Sequence, residues 1–269
     1  MPAPKNTFKA AIREGKTQIG LWVALTSPYT AEICAGASYD WLLLDAEHAP
    51  NDIQTLVAQL QGMSKYPVHP IVRPPIGEAW IIKQILDIGV QTILVPMVET
   101  GEQAEAMVRA VRYPPHGIRG VGASLARASG FNRIPDYLQT ANDEVCLLLQ
   151  IESCAGLANL DAIASTEGVD GVFVGPADLA ADMGLLGRPG APEVQAAVER
   201  ALRRIQDHGK AAGILTADQA LARRYVEMGA SFVGIGSDVG LLVNATAKLV
   251  SDFRAGVAQA DRQNAGQVY

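Results

Sequence analysis

The sequence lacks paired cysteines. Its 269 residues include only three, Cys34, Cys146 and Cys154, and their spacing shows no pairing. An odd number in a chain of this size is typical of a reducing compartment and argues against a disulfide framework. Residues 1–9 contain no apolar stretch of the signal-peptide kind, and no apolar run reaches the 18 or so residues that a membrane span needs. We therefore expect a cytoplasmic protein without a membrane partner.

Basic clusters and several cofactor motifs are also missing. The 22 Lys and Arg against 28 Asp and Glu give a net charge of −6, without the positive footprint that a nucleic-acid partner requires. No Gly-x-Gly-x-x-Gly turn follows the first apolar run, which argues against a dinucleotide site. The sequence has no His-x-x-x-His or Cys-x-x-Cys pair, which argues against a closed zinc site. We expect no organic cofactor.

Short apolar runs are what the sequence has in abundance, since 49% of its residues are hydrophobic. Eight runs recur along the chain, at residues 18–25, 41–48, 70–73, 92–98, 145–152, 171–175, 211–215 and 232–236. They are continuous rather than alternating, which is typical of parallel strands buried on both faces.

Amphipathic segments separate these runs. Asn51 can cap a helix, and Gly89, Gly209 and Gly229 follow three further apolar stripes at the position where glycine ends a helix. Eight strand–helix units favour a single (β/α)₈ TIM barrel over residues 1–269. The segment between the fourth and fifth strands is unusually long, and we expect it to form a loop over the barrel mouth.

Polar residues end four of the predicted strands, where barrel enzymes carry their active sites. Asp45 and His48 end the second strand, Arg73 the third, Glu152 the fifth and Asp178 the sixth. Two carboxylates on neighbouring strands repel each other unless they are protonated or bound to a cation. Glu152 and Asp178 are therefore candidate ligands for Mg²⁺ or Mn²⁺.

The remaining polar residues suggest proton transfer and anion binding. His48 is a candidate base that Asp45 orients, and Arg73 can neutralise an enolate or carboxylate. The N–H groups of Ala177 and Asp178 suit a substrate carboxylate. No lysine lies at the carboxyl end of a predicted strand, so Schiff-base chemistry is disfavoured and metal-assisted enolisation is favoured.

At these residues the sequence resembles the metal-dependent, pyruvate-forming (class II) aldolases of the HpcH/HpaI family. The resemblance extends over residues 7–250, and its motifs together are specific. They are Trp41-Leu42-Leu43-Leu44-Asp45-Ala46-Glu47-His48-Ala49-Pro50-Asn51, Pro96-Met97-Val98, Arg112-Tyr113-Pro114-Pro115, Gly117-Ile118-Arg119-Gly120, Ala126-Arg127-Ala128 and Gly171-Val172-Phe173-Val174-Gly175-Pro176-Ala177-Asp178-Leu179.

The resemblance implies a barrel of the phosphoenolpyruvate/pyruvate-domain type. It implies that Glu152 and Asp178 hold Mg²⁺, Mn²⁺ or Co²⁺, that His48 accepts a proton and that Arg73 stabilises an enolate. Gln150 and Ala177, with Asp178, match the family positions that hold the oxo acid.

The resemblance also assigns to Asp87 the role of raising the basicity of the histidine. Asp87 lies late in the helix after the third strand, so we expect it at the opposite rim of its own barrel. It can then reach His48 only across a subunit contact, as in the domain-swapped hexamer of the family.

The implied reaction is reversible cleavage of a 4-hydroxy-2-oxo acid, such as 4-hydroxy-2-oxoheptanedioate from aromatic catabolism, to pyruvate and an aldehyde. We expect the aldehyde to lie against the long loop, Trp22 and Leu215, in a permissive pocket. Two alternatives stay open: a malyl- or citramalyl-CoA type thioester lyase, and a non-catalytic barrel that binds an oxo acid.

Overall fold

The chain folds as a closed barrel of eight parallel strands in sequence order. The computed structural model describes residues 1–265, and the side chains of residues 1–255. The strands are β1 (Gln18–Val23), β2 (Trp41–Asp45), β3 (His69–Arg73), β4 (Thr92–Val95), β5 (Cys146–Ile151), β6 (Gly171–Val174), β7 (Ala211–Leu215) and β8 (Phe232–Ser237). Each predicted run overlaps one strand, with β3 and β8 each extending one residue beyond it, so the (β/α)₈ prediction is confirmed.

Alternation along each strand determines which side chains enter the barrel. Trp41 and Leu43 of β2 pack inside the barrel, whereas Leu42 and Leu44 pack outward against the helices. A Cβ at Gly20 would overlap the Trp41 indole, so the indole fills space that glycine leaves. Both faces are apolar, which explains why the runs are continuous rather than alternating.

Helices alternate with the strands. They are α1 (Thr7–Arg13), α2 (Pro28–Ala35), α3 (Ile53–Met63), α4 (Ala79–Asp87), α5 (Gly101–Val111), α6 (Tyr137–Glu144), α7 (Cys154–Ala158), α8 (Leu160–Ser165), α9 (Pro176–Asp182), α10 (Pro192–Asp207), α11 (Gln219–Glu227) and α12 (Asp238–Ala265), with a 3₁₀ turn at Arg127–Ser129.

The predicted helix ends are confirmed in three cases and corrected in one. Gly89, Gly209 and Gly229 follow α4, α10 and α11 with φ of 102°, 68° and 90°, a left-handed conformation that glycine adopts readily. The cap of α3 is Asp52, which accepts the Thr55 N–H. Asn51 instead donates its amide to the Asp45 carbonyl and supports the loop after β2.

The long segment between β4 and β5 lies at the rim where the strands begin, which corrects the expected position over the mouth. Arg119 of this segment donates to Asp87, and Arg127 donates to the Ile88 carbonyl at the end of α4. The segment follows α5, and a helix after a barrel strand returns the chain to the opposite rim. It therefore cannot cover the mouth of its own barrel.

The last helix extends away from the barrel. Every side chain from residue 241 to 255 of α12 is exposed, among them Leu241, Leu249 and Phe253. The three cysteines are unpaired. Within the described residues, no helix combines the length and the apolar character needed to traverse a bilayer.

Candidate active site

A cavity of about 610 Å³ opens at the rim where the strands end. Eight of the predicted site residues line it: Trp22, His48, Arg73, Gln150, Glu152, Ala177, Asp178 and Leu215. The alternation of side chains along β5 explains part of this clustering. Gln150 continues the inward-facing series of Cys146 and Leu148, and Glu152 follows it directly after the strand ends. Asp45 and Asp87 are not among the lining residues.

Asp45 holds the guanidinium of Arg73. The two residues are register partners on β2 and β3, and both side chains are buried. Arg73 Nε donates to Asp45 Oδ1 at 2.8 Å and Nη2 donates to Oδ2 at 2.6 Å. The guanidinium also lies 5.3 Å from the centre of the Trp22 ring. This two-pronged contact fixes the guanidinium plane facing the cavity.

His48 takes no part in the hydrogen bonds between Asp45 and Arg73. Its imidazole is 66% exposed, and the carboxylate near it is Glu47, with Oε2 3.9 Å from Nε2. Both Asp45 oxygens already accept hydrogen bonds, from Arg73 and from the Glu47 N–H. Among the described residues Asp45 makes no hydrogen bond to His48, so the structure places Asp45 as the partner of Arg73.

Glu47 is a site residue that the sequence reasoning did not select. Its Oε2 lies 2.7 Å from Arg73 Nη1, an ion pair whose geometry does not meet the angles of a hydrogen bond. Burial raises the pKa of the Glu47 carboxyl, while Arg73 and His48 oppose that rise. The sequence feature that could have identified Glu47 is its position between Asp45 and His48, in a loop that follows a buried strand.

Glu152 is held by a donor to each oxygen. The Met97 N–H donates to Oε1 at 3.0 Å, and Gln150 Nε2 donates to Oε2. Gly175 makes room for it, because a Cβ there would lie 2.5 Å from Glu152 Oε2. Burial raises the pKa of Glu152, the hydrogen bonds from Gln150 and Met97 oppose that rise, and the charges of Glu47 and Asp178 add to it. A cation beside this carboxylate would relieve that cost.

Asp178 lies in the first turn of α9, directly after β6. With Glu152 it provides two carboxylates, the hard oxygen ligands that Mg²⁺ and Mn²⁺ prefer. No group of three or more His, Cys, Asp and Glu side chains forms a metal-binding cluster in the described chain. Two carboxylates leave coordination positions for substrate and water, as is usual for Mg²⁺. Gln150 Oε1 is buried and has no hydrogen-bond partner among the residues that the structure describes.

Asp87 lies at the other end of the barrel. It ends α4, and its Oδ1 accepts a hydrogen bond from the buried Arg119 at 2.8 Å. This position matches the expectation that Asp87 cannot reach His48 of its own chain. The described residues that line the cavity include no lysine.

A parallel (β/α)₈ barrel with a fixed guanidinium and two adjacent carboxylates at its mouth is suited to enolate chemistry on an oxo acid. The chain belongs to the HpcH/HpaI aldolase/citrate lyase family, whose model matches residues 18–245. The family resemblance is thus confirmed, and the protein is an aldolase, a carbon–carbon lyase.

Individual relatives are similar over nearly the whole chain. Hydroxypyruvate/pyruvate aldolase of Pseudomonas aeruginosa is 57% identical over 256 residues, covering 95% of this chain and 96% of the relative. 4-Hydroxy-2-oxo-heptane-1,7-dioate aldolase of Escherichia coli is 57% identical over 251 residues, covering 93% and 96%. A crystal structure of an HpcH/HpaI aldolase/citrate lyase family protein from Burkholderia cenocepacia superposes with a TM-score of 0.90 at 41% identity, covering 93% of this chain and 100% of the other.

Proposed function

We propose that the protein reversibly cleaves 4-hydroxy-2-oxo acids to pyruvate and an aldehyde. The observation that carries the proposal is that one cavity contains two features. One is the buried Glu152, which accepts a hydrogen bond at each oxygen and lies near Asp178, and the other is the fixed guanidinium of Arg73. The name of the Pseudomonas aeruginosa relative supports pyruvate as a reactant, and the name of the Escherichia coli relative supports a 4-hydroxy-2-oxo acid as the substrate.

In this proposal Glu152 and Asp178 hold a divalent cation, Mg²⁺, Mn²⁺ or Co²⁺. Bound there, such a cation would supply positive charge that stabilises the developing enolate. Gln150 and the N–H groups of Ala177 and Asp178 orient the substrate carboxylate. Asp45 keeps Arg73 in a single orientation, so its charge is preorganised for an enolate oxygen.

His48 performs the proton transfer in this proposal. It accepts the proton of the C4 hydroxyl, the C3–C4 bond breaks, and its electron pair passes to the enolate of pyruvate while the aldehyde leaves. Return of that proton from His48 to C3, directly or through water, then gives pyruvate and restores His48. Trp22 and Leu215 lie on the side where the aldehyde departs. An exposed imidazole suits this role because it can exchange its proton with water.

We further propose that residues 1–269 form one catalytic domain, that the protein acts in the cytoplasm on small molecules, and that it assembles as a homohexamer. Two observations support assembly. Asp87 and His48 lie at opposite rims, and α12 exposes apolar side chains such as Leu241 and Phe253. Asp87 of one copy would then raise the basicity of His48 in another.

The test is release of pyruvate from 4-hydroxy-2-oxoheptanedioate, coupled to lactate dehydrogenase, after treatment with EDTA. We expect activity to vanish and to return with Mn²⁺ or Mg²⁺, and Glu152→Gln to remain inactive. Glu102→Gln, a carboxylate on α5 that does not line the cavity, is the matched control. Activity that survives complete metal removal would overturn the cation site, and cleavage of CoA thioesters alone would overturn the substrate.

A further inference from the structure

The cavity is much larger than the donor needs. Pyruvate fills roughly the volume of four waters, about 120 Å³ at ~30 Å³ each, and the cavity measures about 610 Å³. The remaining space extends past Leu215 toward α10 and α11. Its lining there consists of Pro189, Gln195, Thr216, Asp218, Leu221 and Tyr225.

The residues that line this outer part form hydrogen bonds with one another. Tyr225 donates to Gln195 Oε1 at 2.7 Å, and Gln195 Nε2 donates to the Pro189 carbonyl at 2.8 Å. The Gln195 amide is therefore engaged at both ends and holds the loop before α10 against α11. A substrate group meets a fixed wall here rather than an adaptable one.

The charge on this side is negative. Asp218 Oδ1 caps α11 by accepting the Ala220 and Leu221 N–H groups at 2.8 and 3.0 Å, whereas Oδ2 accepts no hydrogen bond from the described residues. Arg73 is already matched by two carboxylates, Asp45 and Glu47. Within the described chain, this part of the cavity offers no cation to a terminal carboxylate of an aldehyde.

Two hydroxyl groups that line the cavity have a hydrogen to donate, Thr216 directly after β7 and Ser237 at the end of the adjacent strand β8. Thr216 Oγ1 accepts the Asp218 N–H at 3.2 Å, and Ser237 Oγ accepts the Gly240 N–H at 3.1 Å. Neither hydroxyl donates to any described residue. Together with Asp218 Oδ2, they provide both donors and an acceptor, which is what a hydroxylated ligand requires.

We propose that the outer part of the cavity is the aldehyde subsite and that it selects small uncharged aldehydes bearing hydroxyl groups over aldehydes with a terminal carboxylate. This inference rests on the proposed aldolase reaction. It makes Asp218, Thr216 and Ser237 specificity-determining residues that contact the aldehyde without taking part in bond cleavage.

The charge is tested with a pair of four-carbon acceptors, succinic semialdehyde and butanal, in aldol addition to pyruvate. We expect the Mn²⁺-loaded wild type to have the higher kcat/KM for butanal. Asp218→Asn retains a helix-capping side chain and should raise the succinic semialdehyde to butanal ratio roughly threefold, the effect of one charge about 7 Å away in water. Asp207→Asn, an exposed carboxylate outside the cavity, removes the same charge and should leave the ratio unchanged. Added KCl should raise the ratio in wild type more than in Asp218→Asn.

The hydroxyl groups are tested with glyceraldehyde and propanal. We expect Thr216→Val and Ser237→Ala to lower the glyceraldehyde to propanal ratio of kcat/KM severalfold, mainly through KM for glyceraldehyde. Thr17→Val, an exposed threonine at the opposite rim, is the matched control. Because each readout is a ratio measured within one variant, a loss of folded protein cancels.

The outcomes distinguish failure of the aldehyde subsite from failure of the aldolase reaction. A wild type that prefers succinic semialdehyde to butanal, with a ratio that Asp218→Asn does not change, overturns the selectivity. Unchanged glyceraldehyde ratios in both hydroxyl variants overturn the role of Thr216 and Ser237. Failure to add any aldehyde to pyruvate, with metal present, instead overturns the proposed reaction.

Discussion

Met97 adopts a left-handed backbone conformation, with φ of 55°, and directs its N–H at Glu152 Oε1 at 3.0 Å. Such a φ is uncommon for a residue with a side chain, and strained conformations of this kind concentrate at functional sites. The neighbouring Val98 N–H donates to the Gln150 carbonyl, so two successive N–H groups join this turn to β5. The turn after β4 thus helps to orient Glu152, the candidate metal ligand directly after β5.

The first prediction concerns that turn. Met97→Gly should keep the affinity for Mn²⁺, because glycine adopts this φ without strain and the side chain is already half-exposed. Met97→Val should weaken Mn²⁺ binding about tenfold, the equivalent of about 1.4 kcal/mol, since a β-branched residue draws the backbone out of this region. Titration calorimetry on the apoprotein measures both affinities.

The control for strain is Ser38, an exposed residue with a φ of 63° that does not line the cavity. Ser38→Val should lower the melting temperature while the Mn²⁺ affinity stays at the wild-type value. Equal Mn²⁺ affinities for Met97→Gly and Met97→Val would show that the turn does not position Glu152.

The second prediction concerns the contact between Asp45 and Arg73. Arg73→Lys keeps the charge and loses the two parallel hydrogen bonds, so the charge is no longer fixed in one place. We expect kcat for cleavage to fall on the order of 10²-fold, the loss typical of one preorganised donor. Exchange of the pyruvate C3 protons with D₂O, followed by NMR, should slow in parallel because it passes through the same enolate.

Arg13→Lys serves as the comparison, because Arg13 is an exposed arginine at the other rim that pairs with Asp170. It should change neither cleavage nor proton exchange. Arg73→Lys with normal proton exchange and slow cleavage would place the role of Arg73 outside enolate stabilisation.

The sequence predicted much of the barrel because burial on both faces leaves a strong pattern. Short continuous runs such as 41–48 and 145–152, repeated eight times between amphipathic segments, favour buried parallel strands, and their final polar residues then face one cavity. The sequence did not identify Glu47 as a site residue, because its role depends on contact with Arg73, which lies far away in the sequence. The partner of Asp45 was likewise decided by strand register rather than by proximity along the chain.

The long segment between β4 and β5 was misplaced for a different reason. Its length was evident from the sequence, but length alone does not say on which side of a helix the extra residues fall. They follow α5 rather than precede it, and Arg119 secures them to Asp87 at the far rim. No local pattern encodes that contact.

The third prediction concerns His69, which is buried at the rim where the strands begin. It stacks on Phe8 and shares a 2.7 Å hydrogen bond with Thr92, and burial lowers its pKa to about 4 from 6.5. Between those values the unfolded chain binds a proton that the folded chain does not. Stability should therefore fall as the pH drops from 6.5 to 4, by about 3 kcal/mol from this group.

Urea unfolding at pH 7 and pH 4.5 measures this loss. His69→Gln, which keeps a polar side chain and cannot take up the proton, should lose less stability across this interval than wild type. His116→Gln replaces an exposed histidine and should follow the wild-type curve. A His69→Gln protein with the wild-type pH dependence would exclude His69 as the source.

The last prediction tests whether the site is shared between copies. If Asp87 of one subunit serves His48 of another, His48→Ala and Asp87→Asn damage different halves of the same composite site. Subunits carrying each change, unfolded and refolded together, should regain activity, because about a quarter of the sites in a random mixture combine an intact His48 with an intact Asp87. Mixtures of either variant with itself should gain nothing.

Light scattering on the refolded mixture checks that oligomers have formed, since Asp87→Asn leaves the buried Arg119 without its ionic partner. An assembled mixture that stays as inactive as its components would mean that Asp87 does not act on His48 across the contact, and Asp87 would then remain only the partner of Arg119.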